Sequence, residues 1–161
     1  PPLDFVLPLA PGVSEEQVRA LLEQAGLEAT LVRGGAARAL SGARLALIAS
    51  GTATLEAAFA GVPMVVVYRV SRTTYALVRP AFRLEHVCIV NILAGREVVP
   101  ELLQRRVRPE IIADKALPLL REGRDREAAL QGLAQVVAGL GTDRPSERVA
   151  ERLAGLLEER G

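Results

Sequence analysis

The run Leu45-Ala46-Leu47-Ile48-Ala49 leads without a break into Ser50-Gly51-Thr52, and a helical pattern follows that ends at Gly61-Val62-Pro63. The stretch reads as a buried strand, a short turn and a helix, which is one step of a parallel α/β sheet. The next run, Pro63-Met64-Val65-Val66-Val67-Tyr68, is continuously apolar and fits a parallel strand covered on both faces. The turn also has chemistry to offer. Free N–H groups and the positive end of the helix dipole converge there, which suits a phosphate, and the Ser50 and Thr52 hydroxyls can contact a ligand. An ordinary N-cap, with the site elsewhere, accounts for the same residues.

The rest of the chain extends the alternation. Leu3–Leu9 is apolar and β-prone, and Pro11-Gly12 ends it. Ser14-Glu15-Glu16-Gln17 is a capping box, after which Val18, Leu21, Leu22 and Ala25 give one apolar helix face. Glu28–Val32 reads as a strand, and Ala36–Leu40 as a small helix after the Arg33-Gly34-Gly35 turn. Thr73–Phe82 reads as a helix interrupted near Pro80, Val87–Val90 as a fifth strand, Asn91–Glu97 as a loop and Val98–Gln104 as a short helix. Beyond Pro109 the pattern is helical, near Glu110–Leu120, Arg124–Ala138 and Pro145–Glu159. The expectation is a Rossmann-like three-layer α/β sandwich with an open, mainly parallel five-stranded sheet. Residues 1–161 would form one domain, with a C-terminal helical segment from about residue 109.

Composition removes several function classes. A net charge of +1 gives no case for bulk nucleic-acid binding. Cys88 is the only cysteine and His86 the only histidine, so neither a disulfide nor a Cys/His metal site is expected. Cys88 lies in the apolar run Val87-Cys88-Ile89-Val90 and reads as a buried small hydrophobe, which argues against a Cys88–His86 catalytic pair. Aromatic residues are 3% of the chain, so the core must be built from Ala, Leu and Val. There is no signal peptide and no run long enough to span a bilayer, so a cytoplasmic protein is expected. The opening Pro1-Pro2-Leu3-Asp4-Phe5 reads as a start partway into a longer protein.

In open α/β sheets ligands bind at the carboxyl ends of the strands. Three loops are expected on that edge: Ser50–Thr52, Arg69–Thr73 and Asn91–Glu97. Glu56 lies one helical turn after Thr52, where a carboxylate can accept from the two vicinal hydroxyls of a ribose. Asn91 can both donate and accept, and Arg96, beside Glu97, suits a bidentate phosphate clamp. Neither Gly-x-Gly-x-x-Gly nor Gly-x-x-x-x-Gly-Lys-Ser occurs. Arg69, Arg72, Arg79 and Arg83, interleaved with Tyr75, Leu77, Val78 and Phe82, would suit an anionic membrane surface, and equally a basic helix packed inward.

Taken together, Ala49-Ser50-Gly51-Thr52-Ala53-Thr54-Leu55-Glu56, Pro63-Met64-Val65-Val66-Val67-Tyr68-Arg69 and the long stretch Asn91-Ile92-Leu93-Ala94-Gly95-Arg96-Glu97-Val98-Val99-Pro100-Glu101-Leu102-Leu103-Gln104 resemble the lipid-A-disaccharide synthases. These are inverting glycosyltransferases of GT-B architecture, in which two Rossmann-like domains face a cleft. The resemblance implies the C-terminal half, which binds the donor UDP-2,3-diacylglucosamine. It implies Ser50, Gly51 and Thr52 at the diphosphate and Glu56 at the ribose. Arg69, Asn91, Arg96 and Glu97 would line the donor site, with Arg96 stabilising the leaving UDP without a metal. No cofactor is implied. The lipid acceptor and the group that activates it would belong to an N-terminal domain that this chain lacks. The protein would be cytoplasmic and peripheral to the inner membrane.

The family pattern has one more strand, in mid-sheet, ahead of this region. Without it the five strands would close up in the order 2-1-3-4-5, with Leu3–Leu9 beside Leu45–Ala49, or a partner chain would fill the gap. Apolar helix surface left uncovered would favour a homodimer. The alternatives are another GT-B UDP-sugar enzyme, such as an epimerase, and a non-catalytic nucleotide-binding or assembly module.

Overall fold

The computed structural model describes residues 3–49, 51–71 and 86–141. Over these the order is β1 (Val6–Leu9), α1 (Glu15–Gln24), β2 (Thr30–Arg33), α2 (Ala36–Leu40), β3 (Ala46–Ala49), α3 (Ala53–Phe59), β4 (Met64–Tyr68), α4 (Ile89–Ala94), β5 (Glu101–Leu103), α5 (Pro109–Leu120) and α6 (Arg124–Gly139). A 3-10 turn, Gln104–Arg106, follows β5. The expected helices Thr73–Phe82 and Pro145–Glu159 lie outside the described residues, as do Ser50, Arg72, Arg79 and Arg83.

The chain is α/β and every strand pair is parallel, but the five strands do not form one sheet. β1 pairs only with β2, while β3, β4 and β5 form a separate three-stranded sheet with β4 central. The expected closure of Leu3–Leu9 against Leu45–Ala49 does not occur. Instead α2 packs against both β1 and α3. A strand ladder needs an edge at matching height and about 4.8 Å spacing, and here the contact between the β1 and α3 regions runs through α2 instead.

The three-stranded sheet is covered on both faces, as the continuous hydrophobicity of Met64–Val67 requires. Met64 and Val66 pack with Ala57, Ala58, Val90 and Leu133, contributed by α3, α4 and α6. Val65 points the other way and packs with Leu102, Ala116, Leu119 and Ala129. The close approach of α6 depends on Gly132, where an added Cβ would sit 2.6 Å from Val98 Cγ1. By contrast α1 forms as expected, with Ser14 accepting from Gln17 N at 3.4 Å, yet it buries none of its residues and Leu21 is 64% exposed.

Two segments exchange type. Val87–Val90 does not form a strand, and Ile89–Ala94 is helical with Val90 and Asn91 turned inward. Val98–Gln104 is not a helix, since Glu101–Leu103 becomes the strand that satisfies the free edge of β4. In both, tertiary pairing overrides local propensity.

Candidate functional site

β3, β4 and β5 run in one direction, so their carboxyl ends share an edge. Ala49 pairs with Val67 and Leu103 with Tyr68, so Gly51, Arg69 and Gln104 all follow strand ends on this one edge of the sheet. At about 4.8 Å per strand, the ends of β3 and β5 lie about 10 Å apart across β4.

The turn after β3 is built around Gly51, whose φ of 151° favours glycine. The Gly51 carbonyl accepts from Thr54 N at 3.1 Å and from Thr54 Oγ1 at 2.7 Å. Thr54 is completely buried, so its hydroxyl is committed to the turn. Thr52, at the N-cap of α3, is exposed and makes no side-chain cap bond. Glu56 is exposed on the same helix. Helix α3 ends in a Schellman arrangement, with Val62 N donating to Ala57 O at 2.9 Å, Gly61 N to Ala58 O at 3.0 Å, and Gly61 at φ 65°. The hydroxyl of Thr52 and the carboxylate of Glu56 are thus left over once the fold is satisfied, and the exposed Arg69 leaves the next strand on the same edge.

Asn91 has a different situation. It is fully buried and its amide is saturated within the protein. Nδ2 donates to Val99 O at 2.8 Å and to Glu101 Oε1 at 2.6 Å, while Oδ1 accepts from Val98 N at 2.8 Å and Val99 N at 3.0 Å. Glu101 also accepts from Val87 N at 2.8 Å and lies 3.7 Å from His86 Nδ1. Asn91 therefore fastens the connection from α4 into β5. Arg96 and Glu97 stand in that connection. Because Ile89–Ala94 is a helix, this loop enters a strand rather than leaving one, so the strand-end rule does not place it on the ligand edge. Arg96 is exposed and donates to Gln135 Oε1 on α6 at 2.9 Å.

Two of the surface concavities among the described residues lie at helix junctions. One, of about 280 Å³, lies between α4 and α6 with Arg96 on its wall, and the other, of about 380 Å³, lies at the α5–α6 turn around Glu122 and Gly123. Neither is lined by Gly51, Thr52, Glu56 or Arg69. Among the described residues no cluster of His, Cys, Asp and Glu could hold a metal ion, and no helix is long and apolar enough to cross a membrane. Burial pushes the Cys88 thiol above its ordinary value, and its side chain sits inside the core rather than in any cleft.

Two residues of the long Asn91–Gln104 stretch gain importance only in three dimensions. Glu101 is the carboxylate that closes the Asn91 network, and Gln104 follows β5 at the strand-end edge. Neither carried a signal in the sequence, where Val98–Gln104 reads as a helix.

A family model described as lipid-A-disaccharide synthetase matches residues 1–150. The lipid-A-disaccharide synthase of Myxococcus xanthus is 42% identical over 157 residues, which are 98% of this chain and 41% of that protein. That of Geobacter sulfurreducens is 38% identical, covering 93% of this chain and 39% of its own length. The enzyme of Pseudomonas syringae is 40% identical over 85% of the chain and 36% of the relative. The chain thus spans about two fifths of the length of the curated relatives it matches.

Proposed function

Because the chain belongs to the lipid-A-disaccharide synthetase family, we propose that it forms the donor-binding part of such a glycosyltransferase. In this reading it holds the UDP of UDP-2,3-diacylglucosamine while the sugar passes to 2,3-diacylglucosamine 1-phosphate. The observation that carries the reading is the division of labour at the β3–α3 turn. Thr54 is spent on the turn itself, whereas Thr52, Glu56 and Arg69 remain uncommitted on one strand-end edge. Ser50, Gly51 and Thr52 contact the diphosphate, Glu56 accepts from the ribose hydroxyls, and Arg69 adds positive charge beside them. Arg96 and Glu97 approach from the α4–β5 connection, where Arg96 balances charge developing on the leaving UDP. Asn91 serves the site by fixing that connection rather than by touching the donor.

The acceptor and the group that activates it belong to the part of the relatives beyond the matched region, facing this one in a GT-B cleft. A strand from that part, inserted between the free edges of β1 and β3, would join the two sheets into one. The basic segment from Arg69 onward favours placement against the cytoplasmic membrane, and the exposed apolar residues Leu117 and Leu140 on α5 and after α6 favour a homodimer.

Calorimetric titration of UDP against the wild-type chain and Glu56→Ala tests the site. We expect roughly a fivefold to tenfold loss on removing a charge-assisted hydrogen bond pair. Equal affinities would remove Glu56 from the ribose.

A further inference from the structure

Gln104 is the one non-glycine residue with a positive φ among the described residues, at 51°. A side chain in the left-handed region costs energy, and a turn free to choose its residue would use glycine or asparagine here. Glutamine is neither. The strained residue directly follows β5 at its carboxyl end, and β4 separates that end from the end of β3, where Gly51 follows. Its side chain is half-buried, and no hydrogen bond to its carboxamide forms within the described residues. Strain of this kind concentrates where a side chain is held in place for a ligand.

We infer that Gln104 is a specificity residue for the sugar carried by the nucleotide. This rests on the donor-binding reading above. If the diphosphate occupies the Gly51–Thr52 turn, the group attached to it extends along the row of strand ends. A carboxamide about 10 Å away is then placed to donate to one sugar hydroxyl and accept from another. The nucleotide itself lies on the Glu56 side and does not reach Gln104.

The test compares the wild-type chain with Gln104→Gly and Gln104→Ala, titrating UDP and, as a soluble nucleotide sugar, UDP-N-acetylglucosamine, with thermal unfolding measured on each. Glycine relieves the left-handed strain, so Gln104→Gly should unfold several degrees higher than wild type, whereas Gln104→Ala keeps the strain and should not. Both variants should hold UDP within about twofold of wild type. Both should lose about fivefold in the ratio of nucleotide-sugar to UDP affinity, the worth of one net hydrogen bond. An unchanged ratio in both variants, or a Gln104→Gly protein less stable than wild type, would overturn the assignment while leaving the donor-binding reading intact. A wild-type chain that binds no UDP would overturn the donor-binding reading, and this inference with it.

Discussion

Replacing Asn91 by alanine should destabilise the protein more than any single change at its surface. The side chain is 0% exposed and makes four hydrogen bonds of 2.6–3.0 Å. Truncation strands the N–H groups of Val98 and Val99, the Val99 carbonyl and one oxygen of Glu101. Each buried polar group left unpaired costs about 1–3 kcal/mol, and since the four share one small space the sum is not additive. A loss of about 4 kcal/mol is expected, a large part of the roughly 5–15 kcal/mol typical of a whole domain. Urea unfolding measures it as a lowered midpoint at constant slope. Asn91→Asp sharpens the test. Its oxygens still accept from Val98 and Val99 N, but one now faces the Val99 carbonyl and the Glu101 carboxylate, where the amide had donated. At neutral pH this variant should be about as unstable as Asn91→Ala. On acidification part of the deficit should return, because a protonated carboxyl can donate again. An Asn91→Ala protein within about 1 kcal/mol of wild type at unchanged slope would refute the claim that this amide fastens the α4–β5 connection.

Two further outcomes follow from packing and burial. Gly132→Ala should cost about 1–3 kcal/mol by overpacking, since its Cβ meets the stiff Val98 side chain at 2.6 Å, whereas Gly139→Ala on the same helix, with nothing within 4 Å, should be neutral or stabilising; equal thermal shifts for the two would show that α6 can retreat from the sheet. The Cys88 thiol is pushed upward by burial, so its contribution to stability is complete below the unfolded thiol's value of about 8.5 and is lost as the pH rises above it. Urea midpoints of the wild type should therefore fall from about pH 8.5 upward by more than those of Cys88→Ala, and parallel curves would rule the thiol out as the cause.

Much of the β3–α3–β4 unit was legible in the sequence because its signals are local. The Gly51-Thr52 turn, the Gly61 helix end and the unbroken Met64–Val67 run each constrain a few adjacent residues. The Ser14 cap and the helices Pro109–Leu120 and Arg124–Gly139 were legible for the same reason. So was family membership, carried by residue order alone. The region from Val87 to Gln104 was not. Its β-branched run became helical because a helix turns Val90 and Asn91 together into the core, and its helix-like tail became β5 because the edge of β4 had unpaired N–H and C=O groups to satisfy. Of the candidate site, the glycine turn, Thr52, Glu56 and Arg69 lie where strand order alone put them. The commitment of Asn91 to the interior, the separate approach of Arg96 and the position of Gln104 depended on which strand lies beside which. The same holds for the division into two sheets. Edge pairing joins groups remote in sequence, and no local pattern records which edges will meet.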